Sequence, residues 1–152
     1  MRRPAVHALI LSAHLALTTL GCGSTEATEL GVSELLVRIE KPVYSKSTDN
    51  AVRSALINQG SERIYALLGE YVYIEQRSEG GWLYQGPWFV IDGIGASIPV
   101  APGDSLVPLP MSLEYVSRPG VYRFVFQVSL DSLGQHPFPE EARVSEPFEV
   151  TW

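Results

Sequence analysis

Few residues of this sequence combine the types and spacing that enzymatic chemistry requires. Acid–base or nucleophilic catalysis usually depends on a histidine, a cysteine or paired carboxylates held close together with shifted pKa values. Two of the three histidines, His7 and His14, lie close to the N-terminus, and the third, His136, stands in a Pro-rich loop. The sequence contains no Gly-x-Ser-x-Gly elbow, phosphate-binding loop or His-x-x-x-His metal spacing. We therefore predict that the protein is not an enzyme, that it uses no cofactor, and that His136 is a solvated loop residue.

Acidic residues near His136 are the best candidates for metal ligands. Glu140 and Glu141 are adjacent, and Asp131 and Glu146 lie within a few residues of them. Calcium loops place oxygen ligands at regularly alternating positions, and that pattern is missing here. We predict an ordinary acidic surface and no metal site.

Aromatic residues crowd the region 71–89 and form a candidate binding surface. The residues that we single out are Tyr71, Tyr73, Trp82, Tyr84 and Trp88. An aromatic platform of this kind can hold a sugar ring or a partner protein. Because the two leading tyrosines alternate with Val72 and Ile74, only one of these pairs can be buried in a two-layer fold. The competing interpretation, which we favour, is that the tryptophans cover the open end of the core while the tyrosines pack on cross-strand neighbours.

The only cysteine, Cys22, follows an N-terminal leader. A basic start, a short apolar run over residues 5–20 and small residues near the end predict a signal peptide at 1–21. The apolar run is too short and too interrupted for a good membrane-spanning helix. Leu20-Gly21-Cys22 resembles the end of a bacterial lipobox, in which the cysteine is acylated and becomes the new N-terminus. Thr19 replaces the leucine usual in that motif, so an ordinary signal peptide that ends near a cysteine is the alternative.

A flexible tether is predicted to follow the acylated cysteine. Residues 22–34 begin with small and polar side chains and show no apolar periodicity. Several acyl chains on Cys22 would make the membrane a partner through the N-terminal lipid. Gly23 stands where an inner-membrane retention signal more often has Asp. The lipoprotein resemblance therefore implies a cell-envelope location, at the outer membrane rather than the inner membrane.

Composition limits both the partners and the architecture. The 152 residues contain 11 Lys and Arg against 17 Asp and Glu, a net charge of −6, so nucleic acid is excluded as a natural partner. The length and the 45% hydrophobic content suit one domain with a real core. The 11 Pro and 13 Gly residues, spaced among Val, Ile, Leu and Tyr, favour many short strands over helices.

The stretch 117–128 predicts the central strand of the fold. After the turn at Pro119-Gly120, the residues Tyr122, Phe124, Phe126 and Val128 fall on one face, since strand side chains alternate with period two. A tyrosine two residues beyond the turn can bond its hydroxyl back to the preceding corner. By the same alternation, Arg123 is predicted to stay in water.

Turn signals divide the rest of the chain. Ser78-Glu79-Gly80-Gly81 predicts a tight hairpin, because glycine supplies the positive φ that such turns need. Residues 86–96, which mix glycines and a proline with apolar residues, are predicted to form a loop with a short strand. Turns recurring every 8 to 15 residues or so indicate an all-β, two-sheet antiparallel sandwich of seven to eight strands over residues 35–152.

Six short segments, in order, resemble the bacterial Ig-like domain family found in secreted and lipid-anchored proteins. They are EKPVYS (40–45), LINQG (56–60), IE (74–75) with GW (81–82), PGDS (102–105), PGVYR (119–123) and SEPFEV (145–150). The resemblance implies an immunoglobulin-like β-sandwich without catalytic residues. The disulfide and the buried tryptophan of antibody domains are absent, so only the sandwich carries over.

The leading functional prediction is a non-catalytic cell-envelope lipoprotein whose Ig-like module binds or spaces something at the cell surface, with an unknown protein or glycan as partner. One alternative is a proteinase inhibitor, because Asn58-Gln59-Gly60 is similar to a strand-end motif of a bacterial intracellular proteinase inhibitor family with a sandwich of similar size. The other is a carbohydrate-binding module that uses the aromatic region 71–89.

Overall fold

The computed structural model of the protein describes residues 34–67, 69–91 and 97–152. The predicted signal peptide, Cys22 and nearly all of the tether lie outside these residues. Within them the chain forms β1 (Leu35–Ile39), β2 (Val43–Ser45), β3 (Ala51–Val52), β4 (Ser54–Asn58), β5 (Ile64–Leu67), β6 (Gly69–Ser78), β7 (Gly81–Ile91), β8 (Ser97–Val100), β9 (Ser105–Leu106), β10 (Met111–Ser112), β11 (Gly120–Phe126), β12 (Val128–Ser129), α1 (Glu140–Arg143) and β13 (Phe148–Thr151). No helix among the described residues has the length and hydropathy of a membrane span.

The strands form an all-β sandwich, as predicted. The largest sheet has five strands in the order β2-β13-β11-β6-β7, and the smaller sheets are β1-β4-β9, β3-β10 and β12-β5-β8. Of the thirteen strands in the described residues, eight have four residues or more, which agrees with the predicted seven to eight.

One strand pair departs from the predicted antiparallel arrangement. The short strand β2 runs parallel to β13, with Val43 opposite Glu149. The cause is a change of sheet at Lys41-Pro42: β1 pairs with β4 in one sheet, and after three intervening residues the chain continues as β2 in the other. Proline suits this junction because it cannot donate to a ladder, and its carbonyl accepts from Glu149 N at 2.8 Å.

Strand β11 supplies the centre of the core, and its predicted inward face is confirmed. Tyr122, Phe124 and Phe126 are at most 3% exposed. Phe148 of β13 packs beside this row, with its ring centroid 5.3 Å from that of Phe124. The Tyr122 hydroxyl donates to the Arg118 carbonyl at 2.6 Å, so the predicted corner tyrosine is present.

The prediction that Arg123 stays in water is wrong. Its side chain is only 14% exposed, and its guanidinium pairs with Glu75 at 2.6 Å and with Glu140 at 2.8 Å. Glu140 of α1 reaches the outer face of β11 through its pair with Arg123, and Val125 on that face is also fully buried. The two-residue alternation assigned the faces of β11 correctly. It does not indicate whether residues later in the chain cover the second face.

The β6–β7 hairpin is confirmed, and it is longer than predicted. Ser78 pairs with Gly81 across the turn, and β7 then continues to Ile91. The prediction for residues 86–96 is a loop with a short strand; residues 86–91 are all strand, so the loop part is wrong up to Ile91, while residues 92–96 lie outside the described part of the chain. Register shifts in the pairing, with Gly86 at φ +135°, accommodate the glycine and Pro87 within a strand.

Candidate functional site

The five aromatic residues predicted as one binding surface lie in three different places. Tyr71 is in the core, a second group of Tyr73, Trp82 and Tyr84 lies on the outer face of the five-stranded sheet, and Trp88 lines a groove at the edge strand β7. The structure therefore brings three of them together and separates the other two.

Tyr71 is a core residue, which corrects its assignment to the binding surface. It is 1% exposed, and its ring meets that of Phe126 edge-on at 6.0 Å. Burial raises the pKa of Tyr71 to about 12. The reason is a β-bulge: the pairing of β6 with β7 shifts on both sides of Val72, so Tyr71 and Val72 are both buried. The alternation that predicted only one buried pair is broken at that point.

The outer-face cluster consists of Tyr73, Trp82 and Tyr84 with the charged residues around them. The rings of Tyr73 and Tyr84 are 5.4 Å apart, so these tyrosines do pack on cross-strand neighbours, as the competing interpretation predicted. Trp82 does not cover the end of the core. Its ring lies 4.6 Å from the Arg123 guanidinium and 5.2 Å from that of Arg77.

Charged groups hold this cluster against α1. Burial raises the pKa of Tyr73, and the Glu75 carboxylate adds to the effect. Arg143 of α1 donates to Gln127 Oε1 at 2.9 Å and to the Phe126 carbonyl at 3.3 Å. Its buried Nε has no hydrogen-bond partner among the described residues. The ion pair of Arg123 with Glu140 thus connects this cluster to α1.

The third aromatic location is an open groove, here called the Trp88 groove. Its volume is about 470 Å³, and it lies between β7 and the segment 111–117 of the opposing layer. Trp88 and Tyr115 form its aromatic walls, with ring centroids 5.5 Å apart and planes inclined at 59°. Gln85, Ser117 and the buried Tyr122 also line it. Aromatic walls with a few polar groups are typical of small-molecule sites.

Two local features fix the aromatic walls of the Trp88 groove. The indole N–H of Trp88 donates to the Leu109 carbonyl at 3.2 Å, which orients the ring. A 3-10 turn at Leu113–Tyr115 starts at Ser112, whose hydroxyl accepts from Glu114 N at 3.3 Å. Leu113 points into the core, and Tyr115 is left 76% exposed at the mouth of the groove.

Sequence reasoning found Trp88 but missed Tyr115 and Ser117 as groove residues. The one local signal that could have indicated the turn is Ser112, which caps it. That turn lies more than twenty residues after Trp88, and no periodic pattern in the sequence relates the two segments. Only the tertiary packing of the two layers brings their aromatic rings together.

Asn58, the residue behind the inhibitor alternative, has a structural role. It is fully buried, and its amide nitrogen donates to the Glu62 carbonyl at 2.8 Å and to the Val100 carbonyl at 3.0 Å. Its side-chain oxygen accepts from Gly60 N at 3.0 Å. The Asn-x-Gly motif therefore ties β4 to the start of β5 and to β8.

The acidic residues near His136 are spread over local contacts. His136 is exposed, as predicted, and its ring Nδ1 lies 3.2 Å from the Asp131 carboxylate. Glu140 pairs with Arg123 instead. The described residues contain no group of three or more His, Cys, Asp or Glu side chains that could hold a metal ion.

No family model and no curated protein matches the chain. Among solved structures, it is similar to the beta-glucosidase from Listeria innocua in complex with isofagomine and with gluconolactone, in each case with 13% identity and a TM-score of 0.37. The match covers 78% of this chain but spans only 16% of the glucosidase. A likeness this weak carries no argument about function. The fold and its surfaces define an all-β sandwich with one charged aromatic face and one aromatic groove.

Proposed function

We propose that the protein is a non-catalytic lipoprotein of the bacterial cell envelope that presents an Ig-like sandwich as a binding module. The observation that carries the binding role is the Trp88 groove. A pair of aromatic rings at an open cavity of about 470 Å³ offers apolar surface to a ligand without any rearrangement of the core.

The geometry of the two rings suits recognition. Tyr115 is 76% exposed, a large share for an aromatic side chain, and covering it with a ligand removes apolar surface from water. Trp88 is half-buried and already oriented by its bond to Leu109, so little side-chain entropy is lost when a ligand packs on it. A rigid ring beside an exposed one is a preorganised contact surface.

The anchor part of the proposal rests on Cys22 and on the leader before it. An acylated Cys22 would carry the sandwich on the tether predicted for residues 22–34, and a flexible chain of that length would have a mean end-to-end distance of about 20 Å. That reach keeps the module close to the bilayer while leaving it free to turn. Gly23 after the cysteine favours the outer membrane as the destination.

Substitution of Cys22 tests this location. We expect Cys22→Ser to leave an unprocessed precursor or a soluble protein, because the acyl chains supply the membrane affinity. Intact-mass analysis of membrane extracts should find a diacyl or triacyl adduct on an N-terminal Cys22 in the parent protein. Ser24→Ala, two residues away, serves as the matched control and should be processed normally. Recovery of an unmodified, soluble parent protein would refute the anchor.

A further inference from the structure

We propose that the Trp88 groove binds a neutral sugar, with a pyranose ring seated against Trp88 and Tyr115. This inference rests on the proposed function of the groove as a ligand site and names its ligand class. A pyranose with mostly equatorial hydroxyls presents a flat C–H face to an aromatic ring and a rim of hydroxyl groups to polar neighbours. The groove offers both kinds of surface.

The charge of the groove favours a neutral ligand. None of the described residues that line it is charged, and the polar ones among them are Gln85, Tyr115, Ser117 and Tyr122. The whole chain has a net charge of −6. An anionic sugar would therefore enter without a cationic partner and against the charge of the protein.

The hydrogen bond made by the Trp88 indole favours a sugar over a proline-rich peptide as the ligand of the groove. Grooves that recognise proline-rich segments are also lined by aromatic rings, and their ligands offer backbone carbonyls as hydrogen-bond acceptors. In this protein the indole N–H is already bonded to the chain's own Leu109 carbonyl. What Trp88 offers to a ligand is the face of its ring, and a sugar binds to that face through C–H groups.

The groove also has polar side chains, which the hydroxyl groups of a sugar need as hydrogen-bond partners. Ser117 brings a hydroxyl that can both donate and accept, and it is exposed. The amide of Gln85 is held by a bond from its Nε2 to the Leu83 carbonyl at 3.2 Å. Tyr122 also lines the groove, and its hydroxyl donates to the Arg118 carbonyl, which leaves the oxygen able to accept a hydrogen bond.

Titration with oligosaccharides tests the assignment. The purified protein is titrated by calorimetry and by tryptophan fluorescence with cellopentaose, chitopentaose and galactopentaose as neutral probes, with oligogalacturonate as the anionic probe, and with a polyproline peptide. We expect at least one neutral probe to bind and the anionic probe to bind at least about tenfold more weakly. Tyr115→Ala should weaken neutral binding by about tenfold or more, since truncation of an aromatic contact costs at least that much at a binding centre.

The matched control is Tyr84→Ala, which removes a half-exposed tyrosine from the opposite face of the same sheet. It should leave sugar affinity within about twofold of the parent. Trp88→Phe should weaken binding as well, and urea unfolding of each variant checks that the fold is kept.

Three outcomes would overturn the sugar assignment: no binding of any neutral probe, tighter binding of the polyproline peptide than of every sugar, or a loss caused by Tyr84→Ala and not by Tyr115→Ala. The peptide outcome, if it depended on Tyr115, would keep the groove as a binding site and refute only its ligand class. Acylation of Cys22 is measured separately and is unaffected by any of these results.

Discussion

Arg123 shows how much a single side chain can connect on the outer face of the sheet. Its guanidinium bonds Glu75 on the neighbouring strand and Glu140 on α1, and it lies over the ring of Trp82. Glu75 is itself only 12% exposed, so its charge depends on Arg123 for compensation. The arginine therefore joins β11, β6, β7 and α1 at one point.

Removal of Arg123 should be costly. Arg123→Ala leaves the Glu75 carboxylate partly buried and without its cation, so we expect a loss of about 3 kcal/mol in the free energy of unfolding. Urea denaturation measures the change. Arg53→Ala is the matched control, because Arg53 pairs with Glu40 at 4.0 Å with both side chains more than half exposed. That control should lose no more than about 0.5 kcal/mol. Equal losses for the two variants would mean that the Arg123 network contributes nothing beyond a surface contact.

At the scale of elements, the loop between β12 and α1 is organised by one carboxylate. Asp131 accepts hydrogen bonds from the Ser129 hydroxyl at 2.9 Å, from Leu133 N at 2.8 Å and from His136 N at 2.7 Å. These bonds fold the loop back on itself, and Phe138 at its end is buried in the core. The breaker-rich sequence correctly predicted a surface loop, but it gave no sign of this anchor.

The Asp131 carboxyl makes the loop sensitive to acid. Desolvation raises the pKa of Asp131, but the backbone N–H groups of Gln135, His136 and Leu133 and the Ser129 hydroxyl outweigh it, so the pKa lies well below its ordinary value. A carboxyl whose pKa is lower in the folded state contributes its full stabilisation at pH values above its unfolded-state pKa of about 3.9. That stabilisation is lost as the pH falls through the lower pKa of the folded state.

Asp131→Asn tests this dependence. At neutral pH we expect the variant to melt at a lower temperature than the parent, since the amide accepts these bonds less strongly than the carboxylate. The difference in Tm should shrink as the pH falls below about 3.9. Glu141→Gln, which changes a nearby exposed carboxylate, should show no such trend. A Tm difference that is constant from neutral to acid pH would contradict the role assigned to Asp131.

The elements that sequence predicted well are those set by local chemistry. Glycine at residues 80 and 81 specified the hairpin, and period two specified the inward face of β11. The errors arose where tertiary structure overrode the local signal. Gly86 and Pro87 read as loop residues but lie in a bulged edge strand, and a second bulge buries Tyr71 next to Val72. A bulge shifts the alternation of the residues that follow it, and although glycine within a strand often marks one, neither Tyr71 nor Val72 indicates it.

At the scale of the whole molecule, the sequence predicted one of the two aromatic residues of the Trp88 groove and not the other. Trp88 belonged to a visible aromatic cluster, whereas Tyr115 lies on a turn of the opposing layer and meets Trp88 only in the folded sandwich. The outer face and the groove lie on different sides of the same sheet.

The place of β13 in this architecture predicts a sharp effect of truncation. β13 lies inside the five-stranded sheet, between β2 and β11, and it buries Phe148 and Val150. Loss of the phenylalanine contacts alone should cost roughly 3–5 kcal/mol, against a total stability of about 5–15 kcal/mol for an ordinary domain.

We expect a variant that stops after Pro147 to lack a cooperative urea transition. A variant that stops after Thr151 loses only Trp152, which is 62% exposed, and it should unfold within about 1 kcal/mol of the parent. A folded variant ending at Pro147 would show that the other strands close the sandwich without β13.

The parallel pair of β2 and β13 also sets the order of events during synthesis. The Thr151 hydroxyl donates to the Tyr44 carbonyl although the two residues are 107 positions apart in sequence. Until β13 has left the ribosome or a translocation channel, β2 and β11 have no strand between them, and closing so long a loop is slow. The five-stranded sheet therefore cannot be completed until β13 has been synthesised. Late closure of this kind is what a protein needs if it crosses a membrane unfolded, as the export proposed for this chain requires.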